Sequence, residues 1–206
     1  MISKEEITGI ILAGGKSRRM GKDKGLCTFN GKALVEYAIG TLKPLCGHLL
    51  ISANYHPEKY NAYGIPVVAD EIREIGPMGG IYTGLKHSET QHNLILSCDT
   101  PFVGTLLFKH LLSQVENEQV VAPAHHKFLI EPLSAYYATN IISTVQDAIN
   151  KKDYKLINLF RQVRFKSVPV DTMISFYNEN YFLNINRPSD LENAEKIIQS
   201  TDGRTE

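Results

Sequence analysis

The 206-residue chain has no apolar run approaching the ~20 residues needed to cross a bilayer. Its opening residues, MISKEE, lack the basic stretch and long apolar segment of a secretory signal. Neither charge is in excess, with 22 Lys and Arg against 22 Asp and Glu. Such a balance gives no long-range field for nucleic acid or an anionic membrane, so any phosphate recognition has to be local. Cysteine is scarce and odd in number: Cys27, Cys46 and Cys98 have no paired spacing of a zinc site or disulfide framework. A soluble, cytoplasmic protein is expected. There is also no internal repeat, low-complexity block or Gly/Pro/Ser-rich linker to divide the chain, so residues 1–206 are expected to form one domain.

What is present is enough apolar residue, 43%, to bury a full core. Short apolar runs alternate with longer amphipathic segments, the pattern of strands feeding crossover helices in a mostly parallel sheet. The runs 7–12, 48–52, 66–69, 93–97 and 119–124 read as strands. Helices are expected where Leu34, Ala38 and Leu42 recur every four residues, over 78–87, and along the stripe Leu107, Leu111, Leu112 and Val115. After residue 124 the alternation loosens. Strands are expected at 128–130, 133–138, 166–170 and 181–185, helices at 140–151 and 154–163, with mixed or antiparallel pairing. Ser189 and Glu192 have the spacing of a capping box before a last helix lined by Leu191, Ala194 and Ile198. The fold class is therefore α/β, a three-layer α/β/α sandwich on a mostly parallel sheet, with some antiparallel strands in the C-terminal half. Its first half, about 7–124, carries the candidate nucleotide-binding residues, and its second, about 125–198, those of an acceptor.

The most informative stretch is LAGGKSRRMGKDK, from Leu12 to Lys24, directly behind the first strand. Glycines let backbone N–H groups approach an anion closely, and cations beside them neutralise its charge. Five lysines and arginines fall within the nine positions 16–24. The P-loop pattern fails, because Gly15 to Gly21 is one residue too long and Asp23 follows Lys22. The dinucleotide pattern G-x-G-x-x-G fails too, and the second strand ends in Ser52-Ala53-Asn54 with no carboxylate for a ribose.

Asp99 stands where the central apolar strand stops, before Thr100-Pro101. In open α/β sheets ligands bind beyond the carboxyl ends of the strands, which aims this carboxylate at the crevice of the glycine turn. Mg²⁺ takes a few carboxylate oxygens together with water and phosphates, so one aspartate serves it. Equally, an aspartate before Thr-Pro caps a turn. Asp70, leaving a short strand, reads either as an Asx-turn or as a carboxylate that accepts N–H donors of a ligand. Asn184 and Asn186 read as turn residues or as part of the site. The pair His125-His126 lacks partners at metal-ligand spacing and is given no role.

The stretch LAGGKSRRMGKDKGL resembles the opening of nucleotidyltransferases of GT-A-like fold, and in particular of the molybdenum cofactor guanylyltransferases, the MobA family. Asp70, Gly76-Pro77-Met78-Gly79-Gly80, Asp99 before Thr100-Pro101, and the late Asn184-Ile185-Asn186-Arg187-Pro188 continue the resemblance, which runs from Thr8 to Leu191. It implies a Rossmann-like, GT-A type fold. It implies that Leu12, Ala13, Gly14 and Gly15 wrap GTP through backbone groups, that Arg19 and Lys24 face its phosphates, and that Asp99 holds Mg²⁺. Ser52 (asparagine in some relatives), Asp70 and Gly79 join the implied nucleotide site. Asn184 and Asn186 are implied on the acceptor side, with Glu131-Pro132-Leu133 and the lysines Lys151, Lys152 and Lys155 as further candidates.

The implied reaction transfers GMP from GTP to the terminal phosphate of Mo-molybdopterin, releasing pyrophosphate. Molybdenum insertion proteins and apo-molybdoenzymes are the implied protein partners. The alternatives are a same-fold nucleotidyltransferase with CTP or a sugar phosphate, a noncatalytic nucleotide- or cofactor-binding protein, and a plain α/β scaffold. Common phosphate chemistry keeps the first of these open.

Overall fold

The computed structural model describes residues 2–14, 23–126, 129–172, 174–177 and 179–202, the last three by backbone alone. Strand β1 (Ile7–Leu12) is followed by a 3-10 turn (Lys24–Leu26), a two-stranded hairpin of β2 (Thr28–Phe29) and β3 (Lys32–Ala33), and helix α1 (Leu34–Leu42). Then come β4 (His48–Ser52), α2 (Pro57–Asn61), β5 (Val67–Val68), α3 (Pro77–His87), β6 (His92–Ser97), α4 (Thr105–Ser113) and β7 (Val120–His125). The rest of the chain holds β8 (Leu129–Ile130), β9 (Ser134–Ala138), α5 (Ile142–Asn150), α6 (Leu156–Phe160), β10 (Phe165–Pro169) and α7 (Pro188–Asp202).

One sheet carries the architecture, in the order β10-β7-β9-β6-β1-β4-β5 with β8 paired to β7. Strand β1 is parallel to β4 on one side and to β6 on the other. Strand β9 runs antiparallel to both β6 and β7, so a strand of the second half is inserted between two of the first. This is the mixed α/β sheet expected from the sequence, its antiparallel pairing confined to the later strands.

Helices cover both faces, which is why β1 is apolar without alternation. Ile7 and Ile11 pack on one face with Val35, Ala38 and Leu42 of α1 and with Leu107, Phe108 and Leu111 of α4. Ile10 and Leu12 point the other way, against Met78, Ile81, Tyr82 and Leu85 of α3 and Val145 and Ile149 of α5. Ile10 and Ile11 are both fully buried, each stabilising the fold by roughly 1.5–3 kcal/mol relative to an exposed side chain. Among the described residues no helix is long and apolar enough to cross a membrane.

Two expectations are corrected. Residues 181–185 form no strand: Leu183 N–H bonds to Asn180 O within a turn, and Ile185 N–H donates to Asp99 O at 2.8 Å. Neighbouring Tyr181 and Phe182 are both buried, so it is the turn bond and not their burial that sets the segment apart from a strand. The capping box of Ser189 and Glu192 is not formed either, since α7 begins at Pro188 and places Ser189 inside its first turn. Asp190 satisfies that end instead, its Oδ2 accepting from Asn186 N–H and Arg187 N–H at 2.8 Å each. Leu191, Ala194 and Ile198 do face the core, around Phe29, Leu34 and Ile185.

Candidate active site

The register of the sheet aligns three strand ends. Leu12 is the partner of Ser52 on β4 and of Ser97 on β6, which sets those two serines about 10 Å apart at two strand spacings. The ladder continues past the strands: Ala13 N–H donates to Ser52 O at 2.9 Å, and Cys98 N–H to Leu12 O at 3.1 Å. The chain leaving β1 is thereby held between the segments leaving β4 and β6. Successive strands after β1 lie first on its β4 side and then on its β6 side, so this is also where strand order reverses and open sheets place their ligands.

A cleft of about 600 Å³ opens there, lined by Leu12, Gly14, Ser52, Asp70, Gly80 and Asp99 among others. The glycine turn and the aspartate behind the central strand thus share one crevice. Lys24 reaches the cleft's Asp99 from beside it: Nζ donates to Asp99 Oδ2 at 2.8 Å and to Asn186 Oδ1 at 2.7 Å. The ion pair is well shielded, with side-chain exposures of 18% for Lys24 and 15% for Asp99. Asp99 Oδ1 is buried and, among the described residues, has no hydrogen-bond partner. An unpartnered buried carboxylate oxygen is costly. A hard cation is the ligand that suits it, and among the described residues no group of three or more His, Cys, Asp and Glu forms a metal cage.

At the other end of the cleft Asp70 is fixed from three directions. Ser52 Oγ–H donates to Oδ1 at 2.7 Å and Asn54 Nδ2 to Oδ2 at 2.8 Å, while Asp70 N–H donates to Asn54 Oδ1 at 2.8 Å. Each carboxylate oxygen keeps a lone pair for a further donor. The first turn of α3 leaves room beside it, because a Cβ on Gly80 would lie 3.2 Å from Ser52 Oγ and 3.5 Å from Asp70 Oδ1.

The other sequence-derived residues divide. Gly80 rather than Gly79 lines the cleft, and Gly79 packs behind Asp70, where a Cβ would lie 2.6 Å from Ile72 O. Ala13 is buried, with its backbone in the ladder. Asn186 reaches Lys24, whereas Asn184 is exposed and bonds locally, its Nδ2 donating to Phe182 O at 3.2 Å. Leu133 reaches the cleft. His125, which was given no role, pairs through Nε2 with Glu131 Oε1 at 2.8 Å. Lys151, Lys152 and Lys155 are exposed. Gly15 and Arg19 lie outside the described residues.

Asn54 was passed over in the sequence. The available signal was an asparagine just past a strand end at the ligand-binding edge of the sheet. Tyr55, Arg73 and Glu74, at the cleft rim, carry no motif.

The description "MobA-like NTP transferase domain" matches residues 9–167. A "Molybdenum cofactor guanylyltransferase" of Polynucleobacter asymbioticus is 36% identical, the alignment covering 96% of this chain and all of that protein. One of the same name from Vibrio campbellii is 32% identical over 93% of this chain and 96% of its own. A crystal structure of "Molybdopterin-guanine dinucleotide biosynthesis protein A" from Archaeoglobus fulgidus superposes with a TM-score of 0.78 at 25% identity, covering 94% of this chain and 99% of that one.

Proposed function

Since the chain belongs to the MobA-like NTP transferase family, we propose that it is a guanylyltransferase that moves GMP from GTP to the terminal phosphate of Mo-molybdopterin, yielding the guanine dinucleotide cofactor and pyrophosphate. The names of its full-length relatives support this reading. The observation that carries it is that Asp99, which holds the Lys24 ammonium jointly with Asn186, lines the same crevice as Gly14 and the clamped Asp70.

In this reaction an oxygen of the acceptor phosphate forms a bond to the α-phosphorus of GTP, and the bond from that phosphorus to the bridging oxygen of pyrophosphate breaks. The attacking phosphate is already anionic near neutral pH, so no general base is needed. This accords with the lack of histidine among the described residues that line the cleft. The chemical problem is to bring anions together and to stabilise charge on the leaving pyrophosphate. Backbone groups of Gly14, with Gly15, cradle the triphosphate, on the platform that the ladder bonds of Leu12 and Ala13 hold in place. Lys24, with Arg19, neutralises it. Asp70 takes the N1–H and N2–H of guanine on its two free lone pairs, with Ser52 and Asn54 holding the carboxylate in the required plane. Asn186, beside Lys24, faces the acceptor side, with Asn184 in the same segment.

The buried, unpartnered Oδ1 of Asp99 fits a divalent cation, and Mg²⁺ is the ion proposed. When bound it supplies positive charge to the phosphate oxygens that Lys24 alone cannot neutralise.

Loss of a charge-assisted contact of this kind costs about 2–4 kcal/mol, roughly thirty- to nearly a thousand-fold in rate. Lys24→Ala and Asp99→Ala are expected to keep wild-type circular dichroism and to lose pyrophosphate release with Mg²⁺-GTP and molybdopterin by that factor. Normal turnover in both variants refutes the assignment.

A further inference from the structure

A lysine carries its charge on a flexible stem, so holding Nζ on Asp99 and Asn186 at once requires a fixed backbone at Lys24. That backbone is a 3-10 turn of only three residues, Lys24–Leu26, the weakest form of helix. Its own bonds are few: Leu26 N–H donates to Asp23 O at 3.2 Å and Cys27 N–H to Lys24 O at 3.0 Å. Something outside the turn has to hold it.

Asp23 and Tyr60 supply that anchor. Asp23 Oδ1 accepts the N–H of Gly25 at 3.2 Å and the phenol O–H of Tyr60 at 2.7 Å. Tyr60 lies on α2 and is fully buried in the core beneath α1. Burial first, and the bond to Asp23 second, push its phenol far above the ordinary range, so it stays a donor at any physiological pH. The turn is also pressed onto it: a Cβ on Gly25 would collide with the Tyr60 hydroxyl and stand 3.3 Å from Ala13 Cβ. The last residues of β1, the turn and α2 meet at this point.

We propose that the Tyr60–Asp23 hydrogen bond is a positioning device that sets Lys24 on Asp99, which lines the cleft, and on Asn186. The proposal rests on the nucleotidyl-transfer reading for its catalytic meaning, though the clamp itself belongs to the unliganded fold. Tyr60 touches no ligand. It acts through Lys24.

A double-mutant cycle on GTP affinity, measured by titration calorimetry with Mg²⁺ and no acceptor, separates positioning from general stability. Tyr60→Phe keeps the ring and removes only the hydroxyl. It is expected to raise the Kd roughly three- to tenfold in the wild-type background and by about twofold at most when Lys24→Ala is also present. Equal factors in the two backgrounds overturn the proposal, because a merely structural hydroxyl weakens both alike. Asp23→Ala removes the acceptor from the half-exposed side of the same bond and repeats the cycle should Tyr60→Phe fold poorly. Hydrogen exchange of the unliganded protein gives an independent readout: the Leu26 and Cys27 amides exchange faster in either variant if the clamp holds the turn, and unchanged exchange overturns it. A wild-type protein that binds no GTP rejects the guanylyl reading while leaving the clamp to stand or fall on the exchange result.

Discussion

Asp70→Asn tests how the base is chosen. In the wild type Oδ1 receives the Ser52 hydroxyl at 2.7 Å and Oδ2 the Asn54 amide at 2.8 Å. The substituted amide has one oxygen and one NH₂, and its orientation is decided by its neighbours. Asn54 cannot rotate its own amide to accept, because its Oδ1 takes the position-70 N–H at 2.8 Å. The Ser52 hydroxyl can turn its proton away and accept. The new NH₂ therefore faces Ser52 and the oxygen stays opposite Asn54. One of the two guanine donors then meets a donor, and the negative charge is gone.

Losing a charge-assisted hydrogen bond costs about 1.5–3 kcal/mol, or roughly 10- to 150-fold in GTP affinity. CTP offers a ring acceptor at the corresponding position and gains from the NH₂, so the GTP to CTP preference falls by at least the same factor. Calorimetry with GTP, ITP and CTP measures it. ITP, which lacks the 2-amino group, is expected to lose less than GTP on substitution. An equal drop for all three nucleotides refutes the reasoning, since the carboxylate would then be reading the ribose that they share.

Gly84→Ala tests the contact of α3 with the sheet. The added methyl would stand 2.6 Å from Ile10 Cγ2 and 3.1 Å from its Cδ1, and Ile10 is fully buried. Overpacking of about 1–3 kcal/mol exceeds the helix-propensity gain of about 1 kcal/mol, so the denaturation midpoint is expected to fall, and a rise would contradict the packing. His92 gives a pH dependence: burial holds it below its ordinary 6.5, opposed in part by Glu6, and its Nδ1 lies 2.8 Å from the Tyr136 hydroxyl. With the folded pKa depressed, the unfolded chain takes up the proton first as pH falls through the ordinary value, and stability declines from there to the folded pKa and then levels. The Tm of His92→Gln is expected to drop less than that of the wild type between about pH 7.5 and about pH 5.5, and parallel curves would remove His92 as the cause.

Where local pattern and tertiary role coincide, the sequence was legible. Ile7–Leu12 is apolar at almost every position because both faces of its strand are covered, and Asp99 could be placed in the crevice because it follows such a strand. Residues 181–185 misled for the converse reason. Tyr181, Phe182 and Ile185 are buried, but burial by a turn and burial by a strand leave similar composition, and it is the local bond from Leu183 N–H to Asn180 O that marks the turn. The Asp70 clamp was half legible. Ser52 came from the family resemblance, at a position where some relatives carry asparagine, whereas Asn54 acts through geometry 16 residues away that no spacing rule encodes. Tyr60 was invisible as anything but core, since its hydroxyl finds Asp23 only once α2 is packed.

The polar groups of the cleft are arranged before any ligand arrives. Lys24 is neutralised by Asp99, and Asp70 is held by Ser52 and Asn54. A chain with no net charge cannot concentrate nucleotide by a long-range field, so its affinity has to come from contacts whose ordering is already complete. A preorganised cleft meets that demand, because an arriving triphosphate finds donors fixed in place and does not have to order them. The exception is Asp99 Oδ1, buried and without a partner. Its charge is shared with Lys24 through the other oxygen, so under the proposed function Oδ1 is the lone pair that a cation accompanying the phosphates would meet, with no competing donor among the described residues. Under the proposed function the one carboxylate would serve the lysine and the cation together, and its ion pair with Lys24 need not break for nucleotide to enter.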